Sequence, residues 1–203
     1  GYVLIDTGPS NKRAELAAAL AHAGCRPSAL PLVVLTHGDF DHTGNAAYLR
    51  RAFGARLAMH RGDAGMAEHG DMFLNRKQPH VLIRKLVPLL FRFGKAERFA
   101  PDLYLEDGDD LAAYGLDVRV LHLPGHSPGS ISILTAGGAL FCGDPLDNTR
   151  EPALNSIMDD LPSAQASVAR LQGLGIGPVY PGHGRPLFST SRRFETSGRL
   201  RRG

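Results

Sequence analysis

Four side chains that can bind a metal ion lie within the short stretch THGDFDHTGN, directly after the apolar run at residues 32–35. They are His37, Asp39, Asp41 and His42. Imidazole and carboxylate groups together suit zinc, iron or manganese, and no cysteine lies among them. Because the apolar run predicts a strand and the segment after the stretch predicts a helix, we expect these side chains in a loop at the end of a strand.

Three further candidate ligands occur later in the chain, each after an apolar strand. They are His126 in LPGHSPGS, Asp144 in FCGDPLDN and His183 in YPGHGRP. The neighbouring glycines and prolines allow the backbone to form tight, fixed loops at these points. Each of the three is a weak signal alone, but together with the first stretch, in this order, they predict a metal centre.

The pieces VLIDTG, VVLTHGDFDHTGN, HLPGHSPGSISI, LFCGD and VYPGHG resemble the metallo-β-lactamase superfamily of metal-dependent hydrolases, over nearly the whole chain. The resemblance implies an α/β fold, an αββα sandwich of two mixed sheets flanked by helices, with the metals at the edge of the sheets. The superfamily usually has one or two strands before VLIDTG. We therefore expect that one or more N-terminal strands are missing from this chain.

The resemblance also implies two metal sites that share a ligand. The implied ligands are His37, Asp39 and His126 at the first site, Asp41, His42 and His183 at the second, and Asp144 between the two ions. Asp6 would support the loops without binding metal. Two divalent ions about 3.5–4 Å apart can share a water and lower its pKa towards neutrality. A metal-bound hydroxide would then attack the substrate, and Asp41, the candidate catalytic residue, could orient it.

Asp39 departs from the HxHxDH signature of the superfamily, which has its second histidine at this position. Direct binding through Asp39 would give the centre three carboxylates. Such a site is harder and more anionic, which shifts the preference from the zinc usual in the family towards iron or manganese. If Asp39 reached the metal only through water, the first site would be weak or empty. The sequence leaves both alternatives open.

The function predicted from these motifs is metal-dependent hydrolysis of a small ester, thioester, lactone or related bond. One alternative is an iron-dependent oxygenase of the persulfide dioxygenase type, which uses a single iron. Another is a nucleic-acid-processing hydrolase, although only the arginines near the C-terminus point to nucleic acid. A third alternative is a binding or interaction module that keeps the fold but has no catalytic activity.

Length and composition set the remaining expectations. The 203 residues, 43% of them hydrophobic, predict a single domain over residues 1–203 with no membrane span. The N-terminus lacks a signal peptide pattern and the two cysteines form no disulfide framework, which predicts a cytoplasmic protein. We expect a helical insertion at about 63–101 and a basic flexible tail at about 190–203. The apolar stripe of the insertion is expected to pack in the core, but it could also line a small-molecule substrate pocket or form a homodimer contact.

Overall fold

The computed structural model describes residues 1–76 and 97–187. Within them, helices occupy Arg13–His22 (α1), Phe40–Thr43 (α2), Ala46–Phe53 (α3), Arg61–His69 (α4) and Leu161–Leu171 (α5). Strands occupy Val3–Ile5 (β1), Leu32–Val34 (β2), Arg56–Met59 (β3), Leu103–Tyr104 (β4), Asp110–Leu111 (β5), Leu116–His122 (β6), Ile131–Thr135 (β7), Leu140–Asn148 (β8), Ala153–Leu154 (β9) and Val179–Gly184 (β10). Single-turn 3-10 helices occupy Ser10–Lys12, Pro27–Ala29 and Ala112–Tyr114.

The strands form two sheets. The first has the order β1-β2-β3-β4, and all its neighbouring strands are parallel. The second has the order β10-β8-β7-β6-β5, with β9 paired to β8. In the second sheet β10 runs parallel to β8, whereas the other pairs are antiparallel.

Strand β2 shows how the layers form, because both of its faces are buried. Val33 packs in a cluster with residues of α1 and α3, including Leu20 and Leu49. Leu32 and Val34 pack against Val120 and other residues of the second sheet. Successive side chains of a strand point to opposite faces, so β2 packs against the helices on one side and against the second sheet on the other.

The outer helical layer of the second sheet is α5. Leu121 and Leu140, from β6 and β8, share a buried cluster with Val168 and Leu171 of this helix. The order of layers is therefore helix, sheet, sheet, helix, and the predicted αββα sandwich is confirmed.

Several local features differ from the expectations. Strands β5 and β9 were not predicted, because two residues are too few to show alternation. Asp144 and His183 were expected in loops, but they lie inside β8 and β10. The pairing of these two strands shifts register on both sides of Pro181, so the regular ladder is interrupted next to His183.

Parts of the predicted insertion and tail lie outside the described residues. The insertion at about 63–101 coincides with α4 at its start, whereas 77–96 are not described. The tail at about 190–203 falls wholly outside them. Among the helices of 1–76 and 97–187, none has the length and apolar character needed to cross a bilayer.

Candidate metal centre

The stretch THGDFDHTGN, with the first four candidate ligands, follows β2 and includes α2. His37 follows the strand, Asp39 precedes the first residue of α2, and His42 lies within that helix. Gly38 packs so closely against Met66 of α4 that a Cβ atom there would lie 2.6 Å from the Met66 sulfur. Position 38 therefore has no room for a side chain, and α4 packs directly against the loop that carries His37 and Asp39.

The seven candidate ligands predicted from the sequence converge at one end of the two sheets. Two groups have ligand atoms within 4.8 Å of one another, and they comprise His37, His126 and Asp144 in the first and Asp41, His42 and His183 in the second. The two groups adjoin, because the Asp144 carboxylate lies 3.3 Å from His42 Nε2 and 3.4 Å from His183 Nε2. The position of Asp144 is that of a residue able to contact both sites.

Asp6 orients two of the histidines. Its carboxylate accepts hydrogen bonds from the Thr36 amide, the Thr36 hydroxyl and His42 Nδ1, each at 2.8 Å. Since the Thr36 hydroxyl donates to Asp6, it accepts from His37 Nδ1, which lies 3.0 Å away. Both imidazoles therefore use Nδ1 for support and present Nε2 to the centre. The supporting role that the family resemblance implied for Asp6 agrees with these contacts.

His126 is oriented by the main chain. Its Nδ1 donates to the carbonyl oxygen of Ile157 at 2.7 Å, which leaves Nε2 directed to the first group. The same loop reaches Asp144, because the Asn155 side-chain amide donates to Asp144 Oδ2 at 3.3 Å. The loop after β9 thus holds two candidate ligands at once.

Two buried polar atoms of the candidate ligands show that the site fits a cation. His37 Nε2 and Asp144 Oδ1 are buried and have no hydrogen-bond partner among the described residues. Buried polar atoms in proteins are almost always paired, because an unpaired one loses its interactions with water. The imidazole and carboxylate donors here are those that zinc, iron and manganese accept, so the residues fit the metal that the sequence predicted.

The second group is the more open one. The side chain of His183 is 42% exposed, and its Nε2 lies 3.2 Å from Asp41 Oδ2. Hydrogen bonds to Asp144 and Asp41 raise the pKa of His183 to about 10 in the absence of metal. Burial lowers the pKa of His42, but the charge and hydrogen bond of Asp6 together with the charges of Asp144 and Asp41 raise it to about 9.

Asp39 lies beside the two histidines of the first group and is paired with Arg76, a residue that the sequence motifs did not indicate. Its Oδ1 accepts a hydrogen bond from Arg76 Nη1 at 2.6 Å, and its Oδ2 lies 3.2 Å from His126 Nε2. Burial raises the pKa of Asp39, but hydrogen bonding from His126 and the charges of His37 and Arg76 hold it well below its usual range. Asp39 is therefore a carboxylate at neutral pH.

Asp63 is a second residue that sequence reasoning missed. This carboxylate of α4 accepts hydrogen bonds from the Gly38 amide at 2.9 Å, the Gly129 amide at 2.7 Å and the Ser127 hydroxyl at 2.6 Å. It joins the loop of His37 to the loop of His126.

Known proteins with similar sequences belong to the family that the motifs resemble. A family model described as the metallo-beta-lactamase superfamily matches residues 1–183. The hydroxyacylglutathione hydrolase of Anaeromyxobacter dehalogenans (strain 2CP-C) is 32% identical over 180 residues, which cover 86% of this chain and 54% of that protein. The acyl-coenzyme A thioesterase MBLAC2 of Bos taurus is 31% identical over 140 residues, which cover 64% of this chain and 47% of that protein. The chain thus spans about half the length of these curated relatives.

Solved structures show the same architecture. The crystal structure of TTHA1623 in a di-iron-bound form matches with a TM-score of 0.71 and 29% identity, covering 93% of this chain and 84% of that chain. The MIM-2 metallo-beta-lactamase matches with a TM-score of 0.70 and 20% identity, covering 90% of this chain and 66% of that chain. Because the identity with MIM-2 is only 20%, that match shows a shared fold and nothing more.

Proposed function

We propose that this chain, which belongs to the metallo-beta-lactamase superfamily, is a metal-dependent hydrolase of small thioesters. Its membership confirms the resemblance found in the sequence motifs. The observation that carries the proposal is the convergence of six imidazole and carboxylate side chains in two adjoining groups, with Asp39 beside the first. Two buried atoms of these side chains, His37 Nε2 and Asp144 Oδ1, have no hydrogen-bond partner among the described residues. The thioester class is supported by the relatives, since hydroxyacylglutathione hydrolase and acyl-coenzyme A thioesterase both act on thioesters.

The ligands divide between two sites in this proposal. The first uses His37, Asp39 and His126, the second uses Asp41, His42 and His183, and Asp144 contributes to both. Divalent ions bound there would supply a Lewis acid and an activated water for attack on the thioester carbonyl. Zinc is the metal usual in the family, whereas Asp39 and the di-iron-bound TTHA1623 support iron or manganese as the occupant.

Asp41 is the candidate catalytic residue on the substrate side of the centre. Burial raises its pKa, but the hydrogen bond from His183 and the charge of His42 lower the pKa below its ordinary value. Asp41 is therefore ionised at neutral pH and can accept a hydrogen bond from the attacking water. The partly exposed His183 beside it marks the direction from which a substrate can reach the metals.

The test is a substrate panel on metal-loaded protein, with an S-acyl glutathione, an acyl-coenzyme A, a lactone, a β-lactam, a persulfide and an RNA. We expect release of free thiol from a thioester, measured with a thiol reagent. At equal metal content, Asp41→Asn should lower this rate about 100-fold or more, because a positioned acid–base group contributes that much.

The matched control is Asp107→Asn, which removes a carboxylate that pairs with Arg170 at 2.8 Å outside the candidate ligands. This variant should keep the wild-type rate. Thioester turnover no faster in wild type than in Asp41→Asn would contradict the proposal. Oxygen uptake with the persulfide, or cleavage of the RNA, would support one of the alternative functions instead.

A further inference from the structure

Arg76 is a buried cation at the first metal site. Its side chain is 5% exposed, and it donates to Asp39 Oδ1 at 2.6 Å, to the His126 carbonyl oxygen at 2.5 Å and to Asp159 Oδ2 at 3.3 Å. A guanidinium group that spans three acceptors is fixed in position and fixes them in turn. Arg76 is thus a built part of the centre, although it lies outside every motif of the sequence.

The contact with Arg76 leaves one oxygen of Asp39 for a metal. Asp39 Oδ2 lies 3.2 Å from His126 Nε2 and 3.7 Å from His37 Nε2. Ligand atoms at tetrahedral positions around one zinc ion are separated by roughly 3.4 Å, given metal–nitrogen distances of about 2.0–2.1 Å. Oδ2 therefore lies where a third ligand of the first site would lie, while Oδ1 is occupied by Arg76.

The charges of the two residues cancel. Asp39 brings one negative charge to a position where the superfamily signature has a neutral imidazole, and Arg76 adds one positive charge 2.6 Å away. The pair together has the formal charge of the histidine that it replaces. A second anion, Asp159, accepts from the far side of the guanidinium but has a more exposed side chain, at 17%.

We propose that Arg76 is a positioning residue that makes Asp39 the charge equivalent of a histidine ligand: it binds Oδ1, leaves Oδ2 to face the first metal and neutralises the added charge. The inference rests on the proposed function only in taking the site as a metal centre. Removing either partner alone leaves an uncompensated buried charge beside the metal, and the two losses act on a cation in opposite directions. Without Arg76 the cation gains attraction. Without Asp39 it meets a guanidinium 3.5 Å from His126 Nε2 whose remaining carboxylate partner is the more exposed Asp159.

The test compares metal binding in wild type, Arg76→Met, Asp39→His and the double variant Asp39→His/Arg76→Met. Zinc and Mn²⁺ are added to chelator-treated protein, and the rise in melting temperature and the bound metal per chain are measured. We expect a larger metal-induced rise than wild type in Arg76→Met and a smaller one in Asp39→His. The affinity of Asp39→His for the first metal should fall about tenfold or more, and the double variant should recover most of this loss.

Arg50→Met is the matched control, because Arg50 pairs with Asp102 at the same 2.6 Å distance but is not among the contacts of the candidate ligands. It should leave the metal-induced rise unchanged. The comparison of Asp39→His with the double variant decides the proposal even if Arg76→Met alone fails to fold. A double variant that binds metal no better than Asp39→His overturns the proposal. None of these readouts requires hydrolytic activity, so failure of the thioesterase proposal is a separate result.

Discussion

Metal binding at the second site should release protons, because its histidines hold them tightly in the metal-free protein. The pKa of His42 is about 9 and that of His183 is about 10, so both are protonated at pH 7. A metal can bind their Nε2 atoms only after these protons leave. Because both pKa values are raised, metal affinity should fall as the pH decreases from about 10 to neutrality. The stability that His42 gives the metal-free fold is present below its ordinary pKa of 6.5 and is lost as pH rises through about 9.

Asp6→Asn should remove a large part of this proton release. The charge of Asp6 is the largest of the effects that raise the pKa of His42 from 6.5 to about 9. If the pKa returns to 6.5, the protonated fraction of His42 at pH 7 falls from about 0.99 to about 0.2, which is roughly 0.8 fewer protons per bound metal. Asparagine has nearly the size of aspartate and tolerates the left-handed backbone of position 6, where φ is 59°.

The assay is isothermal titration calorimetry of chelator-treated protein with zinc at pH 7, in buffers of different ionisation enthalpy. The dependence of the observed heat on that enthalpy gives the number of protons released. A metal-bound water that ionises would release protons in wild type and in Asp6→Asn alike. The prediction therefore concerns the difference in proton release between wild type and Asp6→Asn. Asp107→Asn should match wild type, because its carboxylate pairs with Arg170 and not with a ligand. Equal proton release in wild type and Asp6→Asn would refute the reasoning.

Two further substitutions test the supports of the centre. Asp63→Ala should lower the free energy of unfolding by about 3 kcal/mol, since three hydrogen bonds of about 1 kcal/mol each are lost; a loss below about 1 kcal/mol in urea denaturation would contradict this estimate. Gly125→Ala should displace α5 and reduce bound metal measured by mass spectrometry, because the added Cβ would lie 2.4 Å from Ala164 Cα. Gly173→Ala is its control, because this glycine also has a positive φ (86°, against 143° at Gly125) and no atom lies within 4 Å of the new Cβ. Equal metal loss in both variants would argue against the clash.

The sequence predicted the fold and the seven candidate ligands because each ligand adjoins a glycine- or proline-rich motif after an apolar strand. Arg76 could not be found in this way. It lies in the polar run Asn75–Lys77, a pattern typical of an exposed turn, and only the tertiary fold brings it to Asp39. Asp63 was missed for the same reason, since a charged residue near the start of a helix is usually solvated. Both acquire partners across long sequence separations, which local patterns do not encode.

Arg76 also changes the argument about the metal. From the sequence, Asp39 makes the centre more anionic and favours iron or manganese. If Arg76 cancels that charge, as we propose, then only the replacement of a nitrogen ligand by an oxygen ligand still favours these metals. Binding of zinc and of Mn²⁺ by wild type, Arg76→Met, Asp39→His and the double variant separates two contributions to metal preference. One is the charge at the site, and the other is the change of the ligand atom from nitrogen to oxygen.

The support of His126 by a main-chain carbonyl has a consequence for how this protein can change. Ile157 orients His126 through its backbone oxygen, while its side chain is 69% exposed. Substitutions at position 157 can therefore alter the surface beside the candidate metal centre without removing the hydrogen bond that orients His126. Proline is the exception, because the Ile157 amide donates to Asn155. Variation at this position, natural or in the laboratory, can thus change the surface next to the candidate ligands while the support of His126 stays in place.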